Sequence, residues 1–218
     1  MTIDELYQIK VNKAVAYIVG LIFPLYKNVM FDGKDCIAGC VNHNSNMITP
    51  TELASHYNSV YNLINSEIGI DNVVLVANKN EINNVSPKEG FSVLIDKTGK
   101  TDKYCLDVLT NITNNILKES SDIRKEFVKG CFDGRSSWDT TAHYLSIDVD
   151  RDYSRQDLIE KVILLEGIKV NINRRELNHP KNDQIRIKVD SIKKFISNIG
   201  LYSTCRLTLV NHGISKLK

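Results

Sequence analysis

Apolar positions along this chain recur with two periods that take turns, one helical and one strand-like. From roughly Asn12 to Lys27 (NKAVAYIVGLIFPLYK) and from Asp122 to Asp133 (DIRKEFVKGCFD), apolar residues fall at helical spacing. Each stretch holds a glycine among them, Gly20 and Gly130. A mid-helix glycine costs about 1 kcal/mol relative to alanine, and close approach of two helix backbones is a sufficient reason to keep one. After the first helix, NVMFDGKDCIAGCVNHN reads as a hairpin turning at Asp32-Gly33. In the second half the strand signal is AHYLSIDVD, where Tyr144, Ser146, Asp148 and Asp150 alternate with Leu145, Ile147 and Val149. That alternation describes a half-exposed sheet.

An amphipathic helix follows in both halves. Thr49-Pro50-Thr51-Glu52 supplies an N-cap, a first-turn proline and a capping-box glutamate, and Ser154 to Asp157 repeats the arrangement with an aspartate. Both helices are expected to stop at a Gly-Ile step, Gly69-Ile70 and Gly167-Ile168. A second strand pair comes next, NVVLVANK with GFSVLID and IKVNINRREL with DQIRIKV. A closing helix appears as KYCLDVLTNITNNILKES and again as DSIKKFISNIG, the latter capped by Asp190 and ended by Gly200. The order helix, two strands, helix, two strands, helix is given twice. This predicts an α/β (α+β) chain of two αββαββα repeats, 1–118 and 119–218. The tail RLTLV is expected to add one strand, with the last residues frayed.

Composition adjusts this picture only modestly. With 42% hydrophobic and 25% charged residues the 218-residue chain falls in the globular range, and a formal charge of +2 is too small to announce a polyanion partner. No segment approaches the apolar length of a membrane span, and MTIDELYQIK lacks the basic-then-apolar order of a secretion signal. A soluble intracellular protein without a membrane partner is expected. The five cysteines are an odd number spread along the chain, which argues against a disulfide framework. Cys36, Cys40 and His43 invite a zinc reading, but 36 and 40 are same-face neighbours of a strand and no second Cys or His pair completes a tetrahedral set.

The two glycine-bearing stretches, AYIVGLIFPLYK and EFVKGCFDGRSS, resemble the paired helices of the LAGLIDADG homing endonuclease family, whose second copy commonly reads close to F-x-x-G-F-F-D-G-D-G-S. The resemblance spans nearly the whole chain in element order. It implies that Gly20 and Gly130 form a helix interface at a pseudo-twofold axis, with the sheets making a saddle over double-stranded DNA. It also implies a divalent ion, Mg²⁺, held beside a scissile phosphate by the acid ending each helix. Here the sequence departs from the pattern: alignment on the glycines puts Leu25 and Arg135 at the two acid positions. A metal-dependent phosphodiesterase needs carboxylates to hold its ion, so other acids would have to serve. Asp133, Asp139 and Asp148 are the catalytic candidates, with Asp133, Asp148 and Asp150 as the metal set. Asp32 and Asp35 follow the first helix and are the weaker alternatives.

The DNA-facing candidates cluster late in the chain. In DQIRIKV, Gln184, Arg186 and Lys188 alternate with Ile185, Ile187 and Val189; in KVNINRRE, Lys169, Asn171 and Asn173 alternate with Val170 and Ile172. Arg, Lys, Asn and Gln are the side chains that read base edges in the major groove, where a two-stranded ribbon fits. Arg174, Arg175, Lys181 and Arg135 join this set as basic residues able to reach phosphates. The first half offers less: Asn42 and His43, then Asn78, Lys79 and Lys97. The expectation is a monomeric, asymmetric DNA-binding protein, either a site-specific endonuclease or a non-cleaving regulator, with an intron-splicing helper acting on structured RNA as a third reading.

Overall fold

The computed structural model describes residues 1–43, 48–77 and 89–215. A short helix α1 (Ile3–Gln8) precedes the first repeat, which runs α2 (Lys13–Ile22), β1 (Asn28–Phe31), β2 (Lys34–His43), α3 (Pro50–Ile68), β3 (Val74–Ala77), β4 (Glu89–Asp96) and α4 (Asp102–Ile116). The second runs α5 (Ser121–Arg135), β5 (Ser136–Asp139), β6 (Tyr144–Val149), α6 (Tyr153–Leu165), β7 (Val170–Asn173), β8 (Asp183–Ile187) and α7 (Val189–Asn198), followed by α8 (Thr204–Ser215). Each repeat builds a four-stranded antiparallel sheet of the same order, β1-β2-β4-β3 and β5-β6-β8-β7.

The local signals explain where these elements begin and end. Thr49 and Glu52 form the reciprocal capping box at the start of α3, and Gly69 and Gly167 adopt positive φ where α3 and α6 stop. The hairpin turns at Asp32 and Gly33, both with positive φ. Alternate residues of each sheet (Ile37, Val41, Phe91, Val93 and Ile95; Leu145, Ile147, Val149, Ile185 and Ile187) pack into one core with the helices. At its centre α2 crosses α5. A Cβ built on Gly20 would fall on the Phe127 carbonyl oxygen, and one built on Gly130 on that of Tyr17. The two glycines are thus reciprocal, each letting its own backbone lie against the other helix.

The ends of the crossed helices are capped in a related way. Arg155 of α6 donates to the Phe23 carbonyl at 3.4 Å, and Arg206 of α8 donates to the Phe132 carbonyl at 2.6 Å. A guanidinium suits a helix C-terminus, where unpaired carbonyls and the negative end of the helix dipole coincide.

Three sequence expectations are corrected, and one strand without a sequence signal is added. The RLTLV tail is part of helix α8 and not a strand; Ser203 accepts from the Arg206 amide at its start, and Gly213 lies directly against the Trp138 ring. Strand β5 follows α5 with no intervening loop, so no turn signal marked it. Helix α6 is capped by Asp152, which accepts from the Arg155 amide, and so begins before Ser154. Asp190 lies inside α7, which has no side-chain cap. The segment holding Asn78 and Lys79 lies outside the described residues.

Candidate nucleic-acid interface

Because strand side chains alternate, the face of each sheet opposite the helices is fixed by register. On the second sheet that face holds three cross-strand rows. Ser137, Ser146, Arg186 and Asn171 pair across β5, β6, β8 and β7; Asp148, Gln184 and Asn173 form the next row; Asp139 pairs with Tyr144 at the far end. Lys188 and Lys169 continue this edge, joined where the Lys188 amide donates to the Lys169 carbonyl. Arg186 stacks over the Tyr144 ring at 4.3 Å and donates to Gln184 Oε1, and Gln184 in turn donates to Asp148 Oδ1 at 3.1 Å. The pairing holds the amide and guanidinium planes in fixed orientation, which lowers the ordering cost of a later contact. Tyr144 was not among the sequence candidates; its place in the alternation AHYLSIDVD is the signal that marks it.

The other predicted contacts divide. Lys188 and Asn171 are exposed, and Lys181 lies exposed in a loop fixed by Arg151, which donates to the carbonyls of Leu177, His179 and Lys181. Arg175 lies beside His179 Nδ1 at 3.4 Å. Lys169 is ion-paired with Asp190 at 3.2 Å. Arg174, just past the end of β7, turns the other way: it pairs with Asp157 of α6 at 2.6 Å and stacks on Tyr153 at 4.4 Å. In the first repeat Lys97 is buried between Asp35 and Asp102, at 2.8 and 2.6 Å. Its charge therefore secures the sheet edge to α4. The Asn42 carbonyl accepts from Arg206 at 2.6 Å, and the His43 side chain lies outside the described residues.

The three aspartates expected to hold a metal, Asp133, Asp148 and Asp150, and the further catalytic candidate Asp139 are all engaged by neighbouring groups. Asp133 is fully buried and accepts from the Tyr17 hydroxyl (3.2 Å) and the Tyr202 and Ser203 amides (3.0 and 3.1 Å). It lies in the last turn of α5 and ties the approach to α8 onto the crossed helices. Burial pushes its carboxyl up to about 6, against the pull of those amides and of Arg206. Beside it, burial lowers His56 to about 3, with the Arg206 charge acting in the same direction; its Nε2 lies 3.7 Å from Asp133. Asp139 accepts from the Thr141 and Ala142 amides and serves as a turn residue, with its pKa lowered chiefly by those bonds. Asp150 is paired with Arg155 at 2.5 Å, and Asp148 with Gln184. A hard divalent ion needs several converging carboxylate or carbonyl oxygens, and no cluster of three or more potential ligands exists among the described residues. The carboxylates present do not fit a Mg²⁺ site.

Arg135 and Leu25 stand at the motif's acid positions. Arg135 ends α5 and is largely enclosed; burial lowers its pKa, opposed by the fields of Cys40, Asp148 and Asp150. Its Nε and Nη2 are buried without a hydrogen-bond partner among the described residues. Arg206, which sequence reasoning missed, also donates to the Gly134 carbonyl and Ser136 Oγ, so each of these four hydrogen bonds ends on a neutral oxygen.

No family profile matches the sequence, and no curated protein matches it. Solved structures do match. The homing endonuclease I-DmoI in complex with DNA and calcium aligns with a TM-score of 0.56 at 11% identity, over 93% of this chain and 98% of that one. I-DmoI with DNA and manganese gives 0.53 at 15% identity, over 88% and 98%. The N-terminal LAGLIDADG domain of WhiA gives 0.50 at 12% identity, over 91% and 89%. With two αββαββα repeats joined by glycine-to-backbone crossing of α2 and α5, this chain has the LAGLIDADG homing endonuclease fold.

Proposed function

We propose that this protein binds double-stranded DNA, reads sequence mainly through its second sheet, and does so without metal-dependent cleavage. The observation that carries the reading is the outer face of β5 to β8, where Asn171, Asn173, Gln184 and Arg186 stand in cross-strand register beside Tyr144. These are the side chains that pair with adenine and guanine edges. I-DmoI, which shares the fold, was crystallised on DNA, and this supports the choice of duplex. The Mg²⁺-dependent endonuclease implied by the motif resemblance lacks support from the carboxylates, since Asp133, Asp139, Asp148 and Asp150 are each engaged by neighbouring donors.

Selection from a random duplex library in magnesium, repeated in EDTA, tests this directly. A defined, uncut site enriched equally in both conditions is the expected outcome. Cut ends that depend on magnesium would restore the endonuclease, and preference for structured RNA over duplex would move the partner to RNA.

A further inference from the structure

Where α5 passes into β5, a cavity of about 360 Å³ is bounded by Arg135, Ser136, Ser137, Trp138, Asp148 and Arg206 among others. Two guanidiniums thus share it with one carboxylate. Arg206 is committed to the carbonyls of Phe132, Gly134 and Asn42 and to Ser136 Oγ. Arg135 is not: two of its nitrogens are buried with nothing to donate to among the described residues, while Asp148 and Asp150 act on it through their charges alone. A buried cation with unmet donors is costly to keep, and an oxyanion is the group whose geometry meets a guanidinium fork.

We propose that this cavity is an anion site in which Arg135 takes one phosphate of a nucleic-acid backbone. The source of that phosphate rests on the DNA-binding reading above; the anion site itself does not. The position gives the idea its sense. Arg135 occupies the place at which the motif carries a metal-holding acid. A carboxylate there needs a bound cation before it can face a phosphate, whereas a guanidinium supplies the positive charge from the chain itself. Ser136 and Ser137 add hydroxyls at the rim, and Asp148 opposes the anion.

Fluorescence anisotropy with a duplex, repeated across a salt series, reads the first consequence. Arg135→Met, which keeps the aliphatic stem, should weaken binding about tenfold and reduce the salt slope by about one, with an unchanged or higher melting temperature. Asp148→Asn should tighten binding, the opposite of what a metal ligand would do. Replacing backbone phosphates one at a time by neutral methylphosphonate should find a position that weakens the native protein and leaves Arg135→Met unaffected. An unaltered salt slope in Arg135→Met, or a lowered melting temperature with no such phosphate position, overturns the proposal. If the native protein binds no duplex, the DNA reading fails on its own, and inorganic phosphate is the probe. Trp138 is the only tryptophan and lines the cavity, so phosphate should change its fluorescence in the native protein and not in Arg135→Met. Absence of that change overturns the anion site.

Discussion

Positions that correspond by register on the two sheets carry opposite chemistry. On the first sheet Val29 pairs with Cys36, and Ala38, Leu94 and Val74 form the next row. On the second, Ser137 pairs with Ser146, and Asp148, Gln184 and Asn173 take the corresponding row. Cys36 is opposite Asp96 where Ser146 is opposite Arg186. Val29, Cys36, Ala38, Cys40, Val76 and Leu94 form a small buried cluster separate from the main core, whereas the second sheet keeps exposed and half-exposed polar groups. One backbone plan therefore supports two uses. The first face contributes burial and stability, and the second contributes recognisable donors and acceptors. Net charge would not reveal this, because the difference lies in which face each residue occupies.

Four variants would break or sharpen that comparison. The largest effect is expected where both halves depend on the same contact. Gly20→Ala drives a methyl into the Phe127 carbonyl, and with backbone on both sides there is no side chain to yield; a loss above about 4 kcal/mol is expected, read by urea unfolding. Native stability in this variant would show that the helices separate freely. Leu94→Ala on the first sheet should cost about 3 kcal/mol of stability with duplex affinity per folded molecule unchanged. A selective loss of DNA binding there would mean that the first face also reads DNA.

Asp133→Asn tests the buried anchor through pH. The folded-state pKa is raised from 3.8 to about 6, so the protonated carboxyl stabilises fully below pH 4, and this contribution falls as pH rises through about 6. The stability advantage of the native protein over the variant should therefore narrow between pH 4 and 7, by up to about 3 kcal/mol. A gap that widens instead would mean the carboxylate is ionised and preferred by its three donors. The smallest effect is expected from Arg186→Ala, at about 1–3 kcal/mol of DNA affinity with relaxed preference at one base pair. Unchanged affinity and preference would leave the second face merely solvated.

Much of the fold could be read without coordinates. Gly20 and Gly130 each stood among apolar residues at helical spacing, and both now lie against the partner helix backbone. The capping box at Thr49 and the glycine stops at 69 and 167 are local signals, satisfied by neighbours within a few residues. The alternations in DQIRIKV and KVNINRRE likewise separated core-facing from outward residues, because a strand's period is independent of what packs on it. The assignments that changed were those depending on distant partners. Arg174 looked like its basic neighbours until Asp157 and Tyr153 claimed it.

The sequence by itself determined the repeat and the two glycine-bearing helices, since each is written in local period or residue identity, and it places Leu25 and Arg135 where the motif that these helices resemble carries acids. Only tertiary structure decided that Asp133 is enclosed by Tyr17, Tyr202 and Ser203, that the RLTLV tail is helical against Trp138, and that Arg135 has unmet donors among the described residues. Burial and pairing depend on groups far away along the chain, and no local pattern encodes which of them will arrive.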